Sequence, residues 1–134
     1  TAERVIDGGA VAVFDKDRLA AYLWASLDKA PHTDNVWVSV EEPNVYGYKS
    51  FVDKDYRGQR MTSLMTDALH RQFAKIGYTH SIGFIETHNY SSLKAAGHAS
   101  GELIGLAGYF NLFGRVFTFH TPGVKASKLR FYVA

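Results

Sequence analysis

The chain of 134 residues contains no cysteine. This absence excludes disulfide bonds, thiolate metal sites and cysteine nucleophiles together, and it fits a reducing compartment. No apolar run approaches the ~20 residues that a membrane-spanning helix needs. Residues 1–4 also lack the apolar core of a signal peptide. We therefore expect a cytoplasmic protein with no membrane span.

The chain also has little excess charge of either sign. The net charge is +2 at pH 7, and the 15 Lys and Arg residues are spread along the chain. This distribution argues against a nucleic-acid partner. No histidine pair has metal-ligand spacing on a helix and no carboxylate cluster resembles a divalent-cation site, so no metal is implied. The chain is 46% hydrophobic and 14% aromatic, which is enough for the core of a single domain over residues 1–134.

The first half of the chain has the pattern of β-strands. Apolar runs at residues 10–14 and 19–27 flank a charged turn at residues 15–18 and predict an antiparallel hairpin. Residues 19–27 could also form a helix. Residues 36–40, which are rich in β-branched side chains, and residues 45–52 predict two further strands.

The hydrophobic period changes at Met61. Apolar residues then recur at helical spacing, at Met61, Leu64, Met65, Ala68, Leu69, Phe73 and Ile76. This pattern predicts an amphipathic helix that ends at Gly77.

The remaining elements follow in alternation. Residues 79–85 predict a strand, residues 91–99 a short helix, and residues 103–113 and 116–120 two strands joined at Gly114-Arg115. We expect the aromatic residues of these last strands to lie in the sheet core. The order predicts a mixed α/β (α+β) fold with a parallel crossover around the long helix.

The passage from the strand at 45–52 into the long helix is the most informative segment. A strand, a tight loop and a helix start direct unpaired backbone N–H groups at one point, and the helix dipole adds positive potential there. Arg57 and Arg60 add charge. Positive side chains in the first turn of a helix interact unfavourably with the helix dipole, and a bound anion would offset this interaction. Arg60 and Thr62 stand where glycine would fit more easily.

This loop and the elements after it resemble the GNAT N-acetyltransferase superfamily over residues 10–119. The similarity rests on Arg57-Gly58-Gln59-Arg60-Met61-Thr62, the amphipathic helix, Gly77, a strand and Asn89-Tyr90-Ser91-Ser92-Leu93-Lys94 at the start of a second helix. The resemblance implies a mostly antiparallel sheet with a central parallel strand pair and helices on its faces. It also implies that the loop holds the pyrophosphate of acetyl-CoA or another acyl-CoA.

The resemblance assigns roles to particular positions. The expected acyl-CoA ligands are Phe51, Val52, Arg57, Gly58, Gln59, Arg60, Met61, Thr62, Asn89 and Ser92. The backbone N–H of Val52 would also stabilise the oxyanion of the reaction. Candidates for the general base are Tyr48 and Glu86, with Glu41, Glu42, His88 and His98 as further titratable neighbours.

Two features depart from the family pattern. Ala95-Ala96-Gly97 replaces the tyrosine that usually protonates the departing thiolate, and only about nine residues precede the hairpin. The second feature implies that the N-terminal part of the fold is short or missing.

The implied activity is acyl transfer from acyl-CoA to a primary amine, on a small molecule or a peptide, by direct attack in a ternary complex. Alternatives are a non-catalytic acyl-CoA-binding or sensing module and a degenerate interaction subunit. The oligomeric state stays open, and a homodimer is one option.

Overall fold

The computed structural model describes residues 2–6, 9–33, 35–98 and 101–133. The strands are β1 (Ala2–Ile6), β2 (Ala10–Asp15), β3 (Arg18–Ser26), β4 (Lys29–Pro31), β5 (Val36–Ser39), β6 (Asn44–Val52), β7 (His80–Ile82), β8 (Ala107–Leu112), β9 (Arg115–His120) and β10 (Arg130–Val133). The helices are α1 (Met61–Phe73), α2 (Tyr90–His98) and α3 (Pro122–Ser127), and short 3-10 turns lie at Lys54–Tyr56 and Ala74–Ile76.

The main sheet has five strands in the order β1-β2-β3-β6-β7. Neighbours from β1 to β6 are antiparallel, whereas β6 and β7 are parallel and α1 connects them. The predicted mixed fold and its crossover around the long helix are therefore confirmed. The parallel pair lies at one edge of this sheet rather than at its centre, because β8 and β9 pair with each other and not with β7.

A second, smaller sheet has the order β10-β5-β4. It contains the predicted strand at residues 36–40, which the structure places outside the main sheet. Its partners β4, of three residues, and β10, of four, were not predicted. Strands this short carry too few side chains for an alternating pattern to identify them. The unpredicted β1 extends the main sheet beyond the hairpin.

Several predicted boundaries change. The helical alternative for residues 19–27 is wrong, since β3 pairs with β2 on one side and β6 on the other. The strand predicted at 79–85 is limited to β7, and the one at 103–113 begins only at β8. The turn between β8 and β9 is Phe113-Gly114, with φ of +52° and +76°. Residue 99 of the predicted second helix lies outside the described residues.

One face of the main sheet packs against α1. The predicted stripe of the helix supplies Met61, Met65, Ala68 and Leu69, which are all less than 10% exposed. They meet strand residues that include Val11, Val13, Ala21 and Val45. Gly77 ends the helical segment at φ +93°, the left-handed conformation that glycine adopts without a steric cost.

The opposite face of the main sheet is covered only in part. Tyr46, together with Ile82 and Phe84, packs against the small sheet and α3 in a second core with Val38 and Phe131. Further along the same face, Trp24 and Phe51 are exposed, and Phe51 stacks on Tyr22 with ring centroids 5.4 Å apart. The apolar surface beside β3 and the end of β6 is therefore open.

Most of the aromatic side chains of β8 and β9 do not form the predicted sheet core, although the Tyr109 ring contacts Phe131 with centroids 5.7 Å apart. Phe113 is 96% exposed, and Phe110, Phe117 and Phe119 are each about half exposed. One face of the ribbon packs on the second core through Ala107 and Val116, whereas Phe110, Phe117 and Phe119 lie on the other face, which no described element covers. None of the helices within the described ranges is long and apolar enough to cross a bilayer.

His120 links β9 to β10 and gives the protein a predicted pH dependence. The Phe131 N–H donates to His120 Nε2 at 2.9 Å, which requires a neutral imidazole. Burial, with Lys125 and Arg130 nearby, lowers the pKa of His120 from its ordinary value of 6.5. As the pH falls below 6.5, His120 is therefore protonated in the unfolded chain before it is protonated in the folded protein. The contribution of neutral His120 to the free energy of unfolding is lost as the pH falls from 6.5 to the lower pKa of the folded state.

We expect wild type to lose stability between about pH 7.5 and about pH 5, and His120→Gln to lose less over the same interval. Urea unfolding of both proteins at the two pH values measures the difference. Equal losses in the two proteins would contradict a role for His120.

Candidate functional site

The edge of the main sheet is split where β6 and β7 separate. The parallel ladder has three pairs, ending at Tyr46 opposite Ile82, while β6 continues to Val52. Gly83 still lies close to β6, since a Cβ built on it would be 3.0 Å from the Gly47 carbonyl oxygen. Beyond that point no further pairing with β7 is found within the described residues, so the β7-facing edge of β6 from Gly47 to Val52 is unpaired; we call this edge the slot.

A β-bulge in β6 accompanies this divergence. Tyr22 pairs with Phe51 but Trp24 pairs with Tyr48, so one residue of β3 faces both Lys49 and Ser50. Lys49 has φ +50°. A bulge bends its strand and increases the local twist, which is consistent with the separation of β6 from β7.

The loop after β6 turns the chain from the slot into α1. Asp53 caps the 3-10 turn by accepting the Asp55 N–H at 3.0 Å. Gly58 then has φ +79° and Arg60 has φ +58° and ψ +37°, so both residues are left-handed. All residues from Arg57 to Arg60 are exposed.

Arg60 occupies a backbone conformation that favours glycine. The left-handed region costs a residue with a Cβ roughly 1–2 kcal/mol. From the sequence, glycine was expected to fit more easily at Arg60 and at Thr62. The φ of +58° agrees with this expectation for Arg60, whereas Thr62 lies in the first turn of α1 and needs no glycine. The loop therefore keeps a glycine-type backbone with an arginine in it.

The N-terminus of α1 opens onto this loop. The Arg60 carbonyl accepts the first intrahelical bond, from the Leu64 N–H at 3.1 Å, and no side chain caps the helix. The N–H groups of Met61, Thr62 and Ser63 precede that first bond and have no acceptor within the helix. The Met61 side chain is buried in the core, so this residue can offer only its backbone to a ligand.

Arg57 and Val52 face the slot together. The Asp53 N–H donates to the Ala20 carbonyl of β3 at 2.8 Å, and an antiparallel ladder alternates, so the N–H and C=O of Val52 point to the opposite edge. On that edge Arg57 Nε donates to the Val52 carbonyl oxygen at 3.2 Å. Arg57 is thus anchored at the mouth of the slot. Gln59 Nε2 donates to the Asp55 carbonyl at 3.4 Å within the loop.

Asn89 serves as the cap of α2. Its Oδ1 accepts the Ser92 N–H at 3.3 Å, and its carbonyl accepts the Leu93 N–H at 3.1 Å. Of the two roles expected for Asn89, ligand or brace, these contacts correspond to the brace. The backbone N–H of Ser92 is occupied by this cap. α2 lies beside α1.

The candidate bases lie in different surroundings. Tyr48 is half buried in the slot-forming part of β6 and stacks on Tyr46 with centroids 5.4 Å apart. Burial raises the pKa of Tyr46 well above its ordinary range, so Tyr46 is neutral. Glu86 does not end a strand as expected, because β7 stops at Ile82. It is exposed and lies 3.1 Å from His88 Nε2.

The remaining titratable candidates are not brought to the slot. Glu41 and Glu42 precede the first residue of β6, whereas the slot runs along its last six residues, from Gly47 to Val52. Glu41 instead lies 3.8 Å from Lys128 Nζ. The side chain of His98 is outside the described part of the structure. Within the described residues, no group of three or more His, Asp or Glu could hold a metal ion.

Sequence reasoning missed a charged contact beside the loop. Arg18, at the start of β3, donates to Asp53 Oδ1 at 3.0 Å and to Asp55 Oδ2 at 2.6 Å. The charged turn at residues 15–18 was visible in the sequence, but its partners lie 35 and 37 positions away. Only the pairing of β3 with β6 brings them together.

The conformation of Arg60 leads to a testable prediction. Arg60→Gly should raise the free energy of unfolding by about 0.5–1 kcal/mol, because relief of left-handed strain exceeds the added entropy of the unfolded chain. Urea unfolding measures this change. Arg57→Gly is the matched control, since Arg57 has φ −68° and should lose stability instead. A destabilised Arg60→Gly variant would contradict the assigned conformation.

Several solved structures similar to this chain are aminoglycoside acetyltransferases. Aminoglycoside acetyltransferase AAC(6')-Iy, solved with a CoA-linked bisubstrate analogue, has a TM-score of 0.62 at 14% identity over 77% of this chain and 67% of its own. An aminoglycoside acetyltransferase from an uncultured soil metagenomic sample, solved with trehalose, has a TM-score of 0.58 at 11% identity over 77% and 64%.

An integron cassette protein from V. cholerae has a TM-score of 0.59 at 14% identity, over 87% of this chain and 64% of its own. No protein-family profile matches the chain, and no curated protein matches it. The chain thus has the GNAT N-acetyltransferase fold that its sequence resembled. At these identities the similarity establishes the fold, and the chain spans about two thirds of each of these neighbours.

Proposed function

We propose that this chain is a single acyl-CoA-binding domain that transfers an acetyl or other acyl group to a primary amine. The observation that carries the proposal is the loop from Arg57 to Thr62. Its left-handed residues Gly58 and Arg60 lead directly into the uncapped N-terminus of α1, at the mouth of the slot between β6 and β7. No other described segment combines an anion-binding backbone with an opening in the sheet.

The phosphates of the acyl-CoA substrate would bind at this loop. The N–H groups at the start of α1 and the positive end of its dipole favour an anion. Arg57 supplies a guanidinium whose Nε is already held by the Val52 carbonyl, which leaves its terminal nitrogens for a phosphate. Gly58, Gln59, Arg60 and Thr62 would complete the cradle.

The remainder of the substrate would extend along the slot. Val52 presents its backbone there, the backbone of its neighbour Phe51 points to β3, and the Asn89–Ser92 bond fixes the start of α2. In the reaction the amine nitrogen attacks the thioester carbonyl carbon, the C–N bond forms, and the oxygen takes up negative charge. The Val52 N–H is our candidate donor to that oxygen. The C–S bond then breaks, the thiolate takes a proton, and the nitrogen loses one.

Two side chains are candidates for the proton acceptor of the amine. Tyr48 lies within the slot-forming part of β6, and Glu86 lies on the segment that leaves β7. Of these two, Tyr48 is closer in register to the point where the strands separate, which Tyr46 and Ile82 mark. We therefore favour Tyr48 as the side chain next to the reacting amine.

Two measurements test the proposal. Calorimetric titration with acetyl-CoA should show saturable binding to one site. Release of free thiol should follow addition of an acceptor from a panel of primary amines that includes sisomicin, the ligand of one similar structure. The absence of acetyl-CoA binding would refute the proposal altogether.

A second candidate function is binding of acyl-CoA without transfer. It is favoured by Ala95-Ala96-Gly97, which leaves α2 without the tyrosine that the family uses as an acid, and by the exposed setting of Glu86. Binding in calorimetry with no thiol release across the amine panel would favour this sensor. A chain that binds no acyl-CoA would instead fit an interaction subunit.

A further inference from the structure

We propose that Arg18 is a positioning residue that orders the loop from Asp53 to Arg60 and thereby sets its affinity for acyl-CoA. The part that concerns acyl-CoA rests on the proposed function. Arg18 begins β3 and belongs to the charged turn at residues 15–18, which the sequence analysis assigned only to a hairpin.

The guanidinium of Arg18 bridges two carboxylates of the loop. One terminal nitrogen, Nη2, lies 3.0 Å from Asp53 Oδ1 and 2.6 Å from Asp55 Oδ2. The guanidinium carbon also lies 5.2 Å from the centre of the Tyr56 ring, a distance suited to a cation–π contact. Arg18 therefore contacts three of the four residues from Asp53 to Tyr56.

A second bond joins the same turn to the same loop. The Tyr56 hydroxyl donates to Asp15 Oδ2 at 2.7 Å. Asp15 and Arg18 are the paired ends of β2 and β3, so the hairpin holds the loop from both of its strands. The 3-10 turn Lys54–Tyr56 is thus fixed to the rigid part of the sheet.

Asp53 is the point where these contacts converge. Its N–H donates to the Ala20 carbonyl at 2.8 Å, and its side chain accepts both the Asp55 N–H and the Arg18 guanidinium. The bond from the Asp55 N–H, with Arg18 in support, holds the pKa of Asp53 below its usual value. Asp53 therefore stays ionised and keeps both of its acceptor bonds at neutral pH.

The residues that would contact phosphate come directly after this anchored turn in the sequence. The Arg57 N–H donates to the Lys54 carbonyl at 3.5 Å, and Gln59 Nε2 donates to the Asp55 carbonyl. Release of Lys54–Tyr56 from the hairpin would therefore free Arg57 and the left-handed residues Gly58 and Arg60. Ordering such a loop on ligand binding costs conformational entropy, which weakens affinity.

If Arg18 acted only through its charge, its loss and the loss of Asp55 would change the affinity for acyl-CoA in opposite directions. Removal of a cation near a polyanionic ligand weakens binding, but removal of an anion strengthens it. Loss of Asp55 therefore separates the two explanations. If Arg18 acts through the contact, then Arg18→Ala and Asp55→Ala both weaken binding, and the double variant is no weaker than either one.

The test is calorimetric titration of the whole chain with CoA. We expect Arg18→Ala and Asp55→Ala each to raise Kd roughly tenfold, with Arg18→Lys in between because lysine keeps the charge but lacks the planar guanidinium that lies over the Tyr56 ring. Arg130→Ala is the matched control, since Arg130 is an exposed arginine over an aromatic ring, Tyr132, on the small sheet. It should leave Kd unchanged. Tighter binding by Asp55→Ala would overturn the proposal.

Hydrogen exchange in the absence of ligand tests the ordering of the loop independently. Amides of residues 53–64 should exchange faster in Arg18→Ala and Asp55→Ala than in wild type, while residues 122–133 serve as the internal control. Unchanged exchange in the loop would overturn the positioning role even if CoA binds. If wild type does not bind CoA but the loop loosens in both variants, the proposed function fails and Arg18 still orders the loop.

Discussion

Arg57→Ala should raise the Kd for acetyl-CoA by tenfold or more, because a charge-assisted bond to a phosphate oxygen is among the stronger polar contacts that a protein makes. The guanidinium has the position for this contact. Its Nε is fixed to the Val52 carbonyl at 3.2 Å, so its orientation is set before a ligand arrives. Preorganisation of this kind lowers the entropy that binding must overcome.

Arg57→Lys is the informative companion variant. A lysine keeps the positive charge but cannot bond the Val52 carbonyl and a phosphate in the same fixed geometry. We therefore expect an intermediate Kd for Arg57→Lys and a wild-type Kd for Arg130→Ala. Calorimetric titration of the three variants measures these values. A wild-type Kd in Arg57→Ala would show that the pyrophosphate does not bind at this arginine.

Leu69→Ala should lower the free energy of unfolding by about 2–5 kcal/mol. Leu69 is 1% exposed and lies in the core between α1 and the main sheet, beside Met65 and the buried valines of β2. Its removal leaves a cavity that this close-packed layer can fill only in part. Small domains are stabilised by only about 5–15 kcal/mol in total, so this loss is a large fraction of the free energy of unfolding. It is the largest stability change that we predict.

Asp67→Ala controls for the effect of alanine on the helix itself. Asp67 is exposed on the same helix, and its replacement should change the stability by about 0.5 kcal/mol or less. Urea unfolding of both variants at neutral pH gives the comparison. Equal stability of Leu69→Ala and Asp67→Ala would contradict the packing of α1 on the sheet.

Local sequence pattern predicted the elements that depend on neighbouring residues. The stripe from Met61 to Phe73 and the stop at Gly77 were read correctly, because helical periodicity and a left-handed C-terminal residue are local requirements. The hairpin of β2 and β3 was predicted for the same reason. The strand at 79–85 was predicted too long, since alternation does not reveal where a partner strand turns away.

Some features of the candidate site could likewise be predicted from the sequence, and others could not. The loop residues Arg57 to Thr62, our proposed phosphate site, could be singled out from the sequence, because their composition and their position between a strand and a helix are local features. The surroundings of Glu86 could not, since they depend on where β7 ends. The exposed aromatic residues of β8 and β9 were misread because only one face of this ribbon packs on another layer, and no local pattern shows which face that is.

The amphipathic α1, the hairpin before it and the loop that we propose as a phosphate site could thus be inferred from the sequence alone, since each depends on residues close in the chain. Two features needed the tertiary structure: the end of the β6–β7 ladder at Tyr46 and the contacts of Arg18 with Asp53 and Asp55. These features depend on strand pairing between distant segments. No local pattern specifies which distant backbone or carboxylate a residue will meet.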